Sequence, residues 1–213
     1  MFARRWGPDI EVLIDAHALY NVPTAIRLAN RLAPYAITWF EESPPESYDA
    51  LEHVRRQIAT RISVGERLYP RFEFLPVLTR HLIDCLMPDV TWTGGVSELK
   101  KIATLAETFH VPISPHDASG PVNVLAGAQV MKSVPNFYRL EAPRVKLDFY
   151  NAFLEEPLAV RDGALIVPQT TGLGGRLDVS HLEAHQRGHG RVVPEDLVWP
   201  ALLGARDLVR EQH

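Results

Sequence analysis

The chain has 213 residues, 46% of them hydrophobic and 23% charged, with a formal net charge of −4. That is the composition of a globular domain, and its mixed charge offers no basic face for nucleic acid or an anionic membrane. A single cysteine, Cys85, excludes an internal disulfide framework and fits a reducing compartment. It lies in an apolar run and is expected to be a buried thiol. No stretch of about 18 or more apolar residues suggests a membrane span. Met1 to Trp6 has no apolar signal core behind its arginines, so the expectation is a cytoplasmic protein.

The elements follow in order along the chain. Ile10 to Asp15 reads as an apolar strand ending in a carboxylate. Asn21 caps a helix with Pro23 in its first turn and Ala25, Ile26, Ala29 and Leu32 as its stripe. Ala36 to Glu41 is the next strand, stopped by Pro44-Pro45. Ser47 starts a helix whose buried face is Leu51, Val54 and Ile58. Arg61 to Gly65 is a strand followed by Glu66, and Pro70 opens a helix carrying Phe74, Leu75 and Leu78. Leu82 to Leu86 is a strand followed by Pro88-Asp89. After Gly94-Gly95 comes a periodic helix with Leu99, Ile102, Ala103, Ala106 and Phe109. Val111 to Ser114 is a strand followed by His116. Pro121 opens a helix through Met131, and Phe137 to Leu140 is a strand followed by Glu141.

Six short strands thus alternate with helices, and each is followed by an ionisable residue: Asp15, Glu41, Glu66, Asp89, His116 and Glu141. The intervals are 26, 25, 23, 27 and 25 residues by subtraction, a period that repeated strand-helix units produce. Such alternation implies a parallel sheet, and right-handed crossovers place all the strand C-termini on one edge. In a (β/α) barrel that edge carries the active site. An open doubly wound sheet stays open as an alternative, although no glycine-rich phosphate loop follows the first strand.

Beyond residue 150 the pattern changes. Ala159 to Pro168 reads as a hairpin with Asp162-Gly163 at its turn. Gly172 to Gly175 reads as a turn and Ser180 to Gln186 as a short helix. His181, His185 and His189 would align on a helix but have no acidic or cysteine partners, so a solvated face is expected there. Pro194 to Arg210 looks like an amphipathic terminal helix. The division expected is a partial barrel over 1–150 and a return segment over 151–213.

Asp15, Glu41 and Glu66 are carboxylates on three successive strand tips. Crowded together they would repel, and a hard divalent cation would relieve that cost; all-oxygen donors suit Mg2+ over Zn2+. Asp89 beside His116 would set the imidazole's tautomer and raise its basicity, which makes His116 a candidate general base. Alternation along the second strand puts Trp39 and Glu41 on one face and Phe40 and Glu42 on the other, so the two glutamates are expected to serve different ends.

These residues carry a resemblance. Asp15-Ala16-His17, Trp39-Phe40-Glu41-Glu42, Gly65-Glu66-Arg67-Leu68-Tyr69, Met87-Pro88-Asp89 with Gly94-Gly95, and Ser114-Pro115-His116 resemble the barrel domain of the enolase superfamily, in its mandelate racemase/muconate lactonizing enzyme-like branch. The resemblance covers nearly the whole chain, Val167-Pro168 and Gly172-Leu173-Gly174 included. It implies an α/β fold of the (β/α)8-type (TIM) barrel, here truncated at its N-terminus, since the family's capping domain and first two barrel strands have no counterpart before Ile10. It also implies a Mg2+-dependent enzyme that abstracts the proton α to a carboxylate and stabilises the enediolate on the metal, a superfamily that serves as a standard example of a His or Lys base working with Mg2+. By position, Asp15, Glu41 and Glu66 become the metal ligands, Asp89-His116 the base dyad, and Glu141 a hydrogen-bonding partner for the substrate carboxylate.

The Asp-x-His of Asp15 and His17, with Gly65 to Tyr69, is similar to the sugar-acid dehydratases of the galactonate type, in which this histidine protonates the departing 3-hydroxyl. Arg67 stays open between orienting the site and a surface ion pair. The expected partner is a small sugar acid, with no nucleic acid and no membrane, and the exposed barrel edges favour a homo-oligomer. Two other outcomes stay open: an inactive fragment that keeps only the fold, and a racemase or cycloisomerase of the same branch.

Overall fold

The computed structural model describes residues 10–43, 47–117, 119–142 and 147–188. Four short parallel strands, β1 (Leu13–Asp15), β2 (Trp39–Glu41), β3 (Ile62–Val64) and β4 (Cys85–Leu86), form one sheet in sequence order. Their register pairs Leu13 with Trp39, Asp15 with Glu41, Phe40 with Ile62, Ser63 with Cys85, and Val64 with Leu86. Single parallel bridges, Leu86 to Ile113 and Ile113 to Phe137, carry the wall two positions further. An order that never reverses is that of a barrel wall, not of a doubly wound sheet with its switch point.

The expected strands over 111–114 and 137–140 are therefore reduced to isolated bridges, with Ile113 pairing once to each neighbour. Pro112 and Pro115 have no amide to donate, which interrupts the ladder on either side of Ile113, and pairing resumes with the Asp89 to His116 bridge. The two sides of the wall also meet through side chains. The Tyr138 hydroxyl donates to Glu11 Oε1 at 3.3 Å, Arg139 pairs with Glu11, and the Arg139 guanidinium lies 5.5 Å from the centre of the Trp39 ring.

Helices pack outside this wall. α1 (Val22–Leu32) is capped by Asn21, whose side chain accepts from the Thr24 amide. α2 (Tyr48–Arg55) is capped by Ser47 in the same way, through the Ala50 amide. α3 (Arg71–Thr79), α4 (Val96–Thr108) and α5 (Pro121–Met131) complete the series. Alternation sorts the strand residues into two layers. Phe40, Ile62, Val64 and Leu86 face outward into the main core with Ala25, Ala29, Leu51, Val54, Phe74 and Leu78. Trp39, Cys85 and Met87 face inward, with Leu13 against them. Leu75 departs from the expected face of α3: it is 42% exposed, and Val77 is buried instead. Cys85 is a buried free thiol, as its apolar surroundings suggested, and burial followed by the nearby Glu41 charge pushes it up to about 12.

The segment after residue 146 folds back over α5. α6 (Leu147–Asn151) brings Tyr150 into a small core with Val124, Leu125, Leu154 and Leu158. The hairpin of β5 (Ala159–Arg161) and β6 (Ala164–Ile166) turns at Asp162 and Gly163, with φ of 51° and 78°, the left-handed pair that an Asp-Gly turn supplies. Gln129 of α5 holds the return segment by donating to the carbonyls of Pro168 and Leu173. α7 (Val179–Gly188) stacks the exposed rings of His181 and His185 on each other and against the edge of Phe153. His189 and the expected helix over 194–210 lie outside the described residues. Among the described residues no helix is long and apolar enough to cross a membrane.

Candidate active site

Every ionisable residue of the strand-end series lies on the same edge of the wall, because parallel pairing fixes neighbouring tips side by side. Asp15 and Glu41 are direct register partners. Asp15 is exposed, and its Oδ1 accepts the His17 amide at 2.6 Å, which folds the loop so that His17 stands over the strand ends with φ of 46°. His17 Nδ1 then lies 3.1 Å from Glu66 Oε1 and 3.9 Å from Asp15 Oδ2. The other oxygen of Glu66, Oε2, lies 3.2 Å from His116 Nε2. Two imidazoles, one from the first loop and one from the fifth, thus converge on a single buried carboxylate.

His116 is held from behind. Its Nδ1 is 2.8 Å from Asp89 Oδ2, and Asp89 is completely buried. Asn123 Nδ2 donates to the same oxygen at 2.9 Å, while the Thr91 amide and hydroxyl donate to Oδ1 at 2.7 and 2.6 Å. Burial alone would raise Asp89, but the bonds from His116, Thr91 and Asn123 outweigh it and hold the carboxyl below its usual range. An ionised carboxylate only accepts, so Nδ1 of His116 carries a proton and Nε2 faces the site. Burial pulls His116 down. The Asp89 bond and the charges of Glu141 and Glu66 win, and push it up to about 9.

Glu141 completes the ring. Its Oε2 accepts the Asp117 amide at 3.1 Å and sits 3.9 Å from His116 Nε2. Burial holds Glu141 above the usual carboxylate range, against the opposing charge of His116. Glu41 is buried beside the inward layer, and Trp39 Nε1 donates to its Oε2 at 3.1 Å. Burial, then the charges of Asp15 and Glu141, push Glu41 up to about 8. Glu42, equally buried, accepts the Gly65 amide on Oε1 at 2.7 Å and is pushed up to about 7, chiefly by burial.

Among the described residues, no three Asp, Glu, His or Cys side chains stand as a ready-made cage for an ion. Asp15, Glu41 and Glu66 are the residues whose chemistry suits one. They are hard oxygen donors on adjacent strand tips, and Glu41 is held toward its protonated form partly by the charges of Asp15, Glu141 and Glu66. A cation among them would reverse that penalty.

Comparison with known proteins gives the family of the chain. Residues 2–181 match the family model described as enolase C-terminal domain-like. The chain belongs to that family. Its fold is accordingly the barrel of the enolase superfamily's C-terminal domain. A D-xylonate dehydratase of Haloferax volcanii is 34% identical over 180 residues, covering 84% of this chain and 44% of the relative. A D-galactarolactone cycloisomerase of Agrobacterium fabrum is 37% identical over 177 residues, covering 79% of this chain and 47% of the relative. The crystal structure of a mandelate racemase/muconate lactonizing enzyme-like protein from Rubrobacter xylanophilus superposes with a TM-score of 0.80 at 38% identity, over 88% of this chain and 48% of that one. The chain thus spans about half the length of the proteins it matches.

Within this enolase-family barrel the structure adds residues that strand-end reasoning missed. Alternation had already put Trp39 on the face of Glu41, and the structure adds the hydrogen bond that joins them. Asn123 lies 34 positions from Asp89 and has no sequence signal. Asp117 is 1% exposed, and neither of its carboxylate oxygens has a hydrogen bond of full geometry among the described residues, although the amides of Ser119 and Gly120 face it. Burial outweighs those amides and pushes Asp117 from 3.8 up to about 6.

A carboxyl raised on folding stabilises the fold below its unfolded pKa, and that contribution disappears as pH rises through its folded value. Asp117→Asn is therefore expected to raise the stability at pH 8 by up to about 3 kcal/mol and to leave it nearly unchanged at pH 4. Thermal denaturation at the two pH values checks this; equal shifts at both would rule out the buried charge as the cause.

Proposed function

We propose that the chain is the catalytic barrel portion of a Mg2+-dependent sugar-acid dehydratase acting on aldonates such as galactonate. It would remove the proton α to the carboxylate and expel the 3-hydroxyl, leaving a 2-keto-3-deoxy acid. The observation that carries this reading is the convergence of His17 and His116 on the two oxygens of Glu66. β-Elimination needs a base for carbon and a separate acid for the leaving hydroxide, and here two imidazoles flank one centre.

In this reading the Nε2 of His116, in its neutral form, takes the α-proton, and Asp89 holds the ring and stabilises the imidazolium that results. The C–H electron pair moves into the carboxylate, where Glu141 in its protonated form donates a hydrogen bond to the oxygen that gains charge. As the pair returns to form the C2–C3 double bond, the C3–O bond breaks, and the proton on His17 joins the departing hydroxide to make water. The resulting enol gives up the proton on its C2 oxygen and takes one up at C3, which makes it the ketone. A hard cation held by Asp15, Glu41 and Glu66 would supply positive charge beside the substrate carboxylate and make the α-proton more acidic. The activities named for the relatives support a small sugar acid as substrate.

Incubation of the purified chain with Mg2+ and a panel of C5 and C6 aldonates tests the reading, with 2-keto-3-deoxy acids as the expected products. No product with any acid, from a chain that is folded and binds Mg2+, would leave a cation-binding barrel without turnover. A cycloisomerase, the activity named for one relative, is distinguished by His17→Asn. This variant is expected to lose about 100-fold or more in dehydration while still exchanging the substrate α-proton in D2O. Equal loss of exchange and dehydration would remove His17 from the role of acid.

A further inference from the structure

One buried acid in the site has no part in the chemistry above. Glu42 directly follows the carboxylate tip of β2 and is 5% exposed. It adopts a left-handed backbone, φ 43°, which a non-glycine residue takes only where its surroundings compel it. That turn lets one residue hold both neighbouring loops. Its backbone carbonyl accepts the Ala18 amide at 2.8 Å, in the loop that carries Asp15 and His17. Its side chain reaches the other way and accepts the Gly65 amide at 2.7 Å, immediately before Glu66. Its own amide donates to the Ser63 carbonyl at 3.0 Å. The Gly65 loop has little room to take another position. Gly65 is packed so closely on the Met87 backbone that a Cβ would come within 2.7 Å of it.

We propose that Glu42 is the positioning residue of this site, aligning the loop that presents Glu66 with the loop that presents Asp15 and His17. The proposal rests on the reading of those carboxylates as cation ligands. The acceptor function of Oε1 does the aligning, so a neutral acceptor of the same shape serves as well. Glu42 makes no contact with the substrate in this role. Groups that hold ligands in this way typically change metal affinity by about 10–100-fold when removed.

The test compares the full chain with Glu42→Gln, which keeps an acceptor, and Glu42→Met, which keeps the length and removes it. Two measurements are made: amide hydrogen exchange at Gly65, with Phe40 as a core reference, and isothermal titration with MgCl2. In the Met variant the Gly65 amide is expected to exchange at least about tenfold faster with Phe40 unchanged, and Mg2+ affinity to fall about tenfold or more. The Gln variant is expected to stay within about threefold of the parent in both. A Met variant with fast Gly65 exchange and full affinity would overturn the proposal, as would a Gln variant that loses affinity like Met. If Met does not fold, the Gln variant decides alone: retained affinity supports an acceptor role, and a tenfold loss overturns it. If the parent itself takes no Mg2+, the cation reading fails separately. Glu42 is then judged on exchange: fast Gly65 exchange in Met only supports the anchor, and unchanged exchange removes it.

Discussion

Gly65→Ala is expected to lower the unfolding free energy by about 4 kcal/mol or more, a large share of the roughly 5–15 kcal/mol that keeps a domain folded. A Cβ built on Gly65 would sit 2.7, 2.8 and 2.9 Å from the carbonyl carbon, nitrogen and oxygen of Met87. Those are backbone atoms, and they cannot swing aside like a side chain. Met87 is also fixed by its amide, which donates to the Val64 carbonyl at 2.9 Å. The φ of 149° adds strain that only glycine escapes. The variant has two poor options: distort the seam between β3 and β4, or move the residue 65 peptide and with it Glu66. Urea denaturation measures the loss, and a change under about 1 kcal/mol would show that the seam yields more easily than its packing indicates.

The largest effect on catalysis is expected from His116→Asn, which should reduce both α-proton exchange and dehydration by about 10³-fold or more. Asparagine keeps a donor for Asp89 but has no group that can take a proton at neutral pH. The contrast with His17→Asn carries the meaning. Loss of the base stops the first bond-breaking step, so both readouts fall, whereas loss of the acid stops only the second. Stability moves much less. Asp89 keeps its bonds from Thr91 and Asn123 and a donor from the asparagine, so the penalty is at most about one charge-assisted hydrogen bond, roughly 1.5–3 kcal/mol. A His116→Asn variant that is folded and still exchanges the α-proton at the parent rate would assign the base to another group.

The strand-end series could be read directly from the sequence because it rests on local chemistry. A carboxylate at the tip of an apolar strand is conspicuous, and a repeat near 25 residues marks strand-helix units whichever way the strands later bend. Helix starts were also readable, since Asn21 and Ser47 cap through contacts three residues away. Strand lengths were less so. Apolar runs such as Val111 to Ser114 look like strands in isolation, but Pro112 and Pro115 leave only Ile113 bridged, once to each neighbour. Leu75 looked like a core residue from spacing alone, and it turned outward because the wall of α3 that meets the sheet is made by Phe74, Val77 and Leu78.

The sequence by itself determined which residues could do chemistry, the order in which the chain presents them and, through strand alternation, that Glu41 and Glu42 must part. Only the tertiary structure decided which of them touch. His17 and His116 share Glu66, Asn123 backs Asp89, and Glu42 ties two loops together, across separations of 49, 50, 34 and 23 residues by subtraction. Such contacts depend on the register between neighbouring strands and on backbone turns such as those at His17 and Glu42. Register is set by the packing of the whole wall, and a slip of one residue would turn the side chains of a strand to its other face.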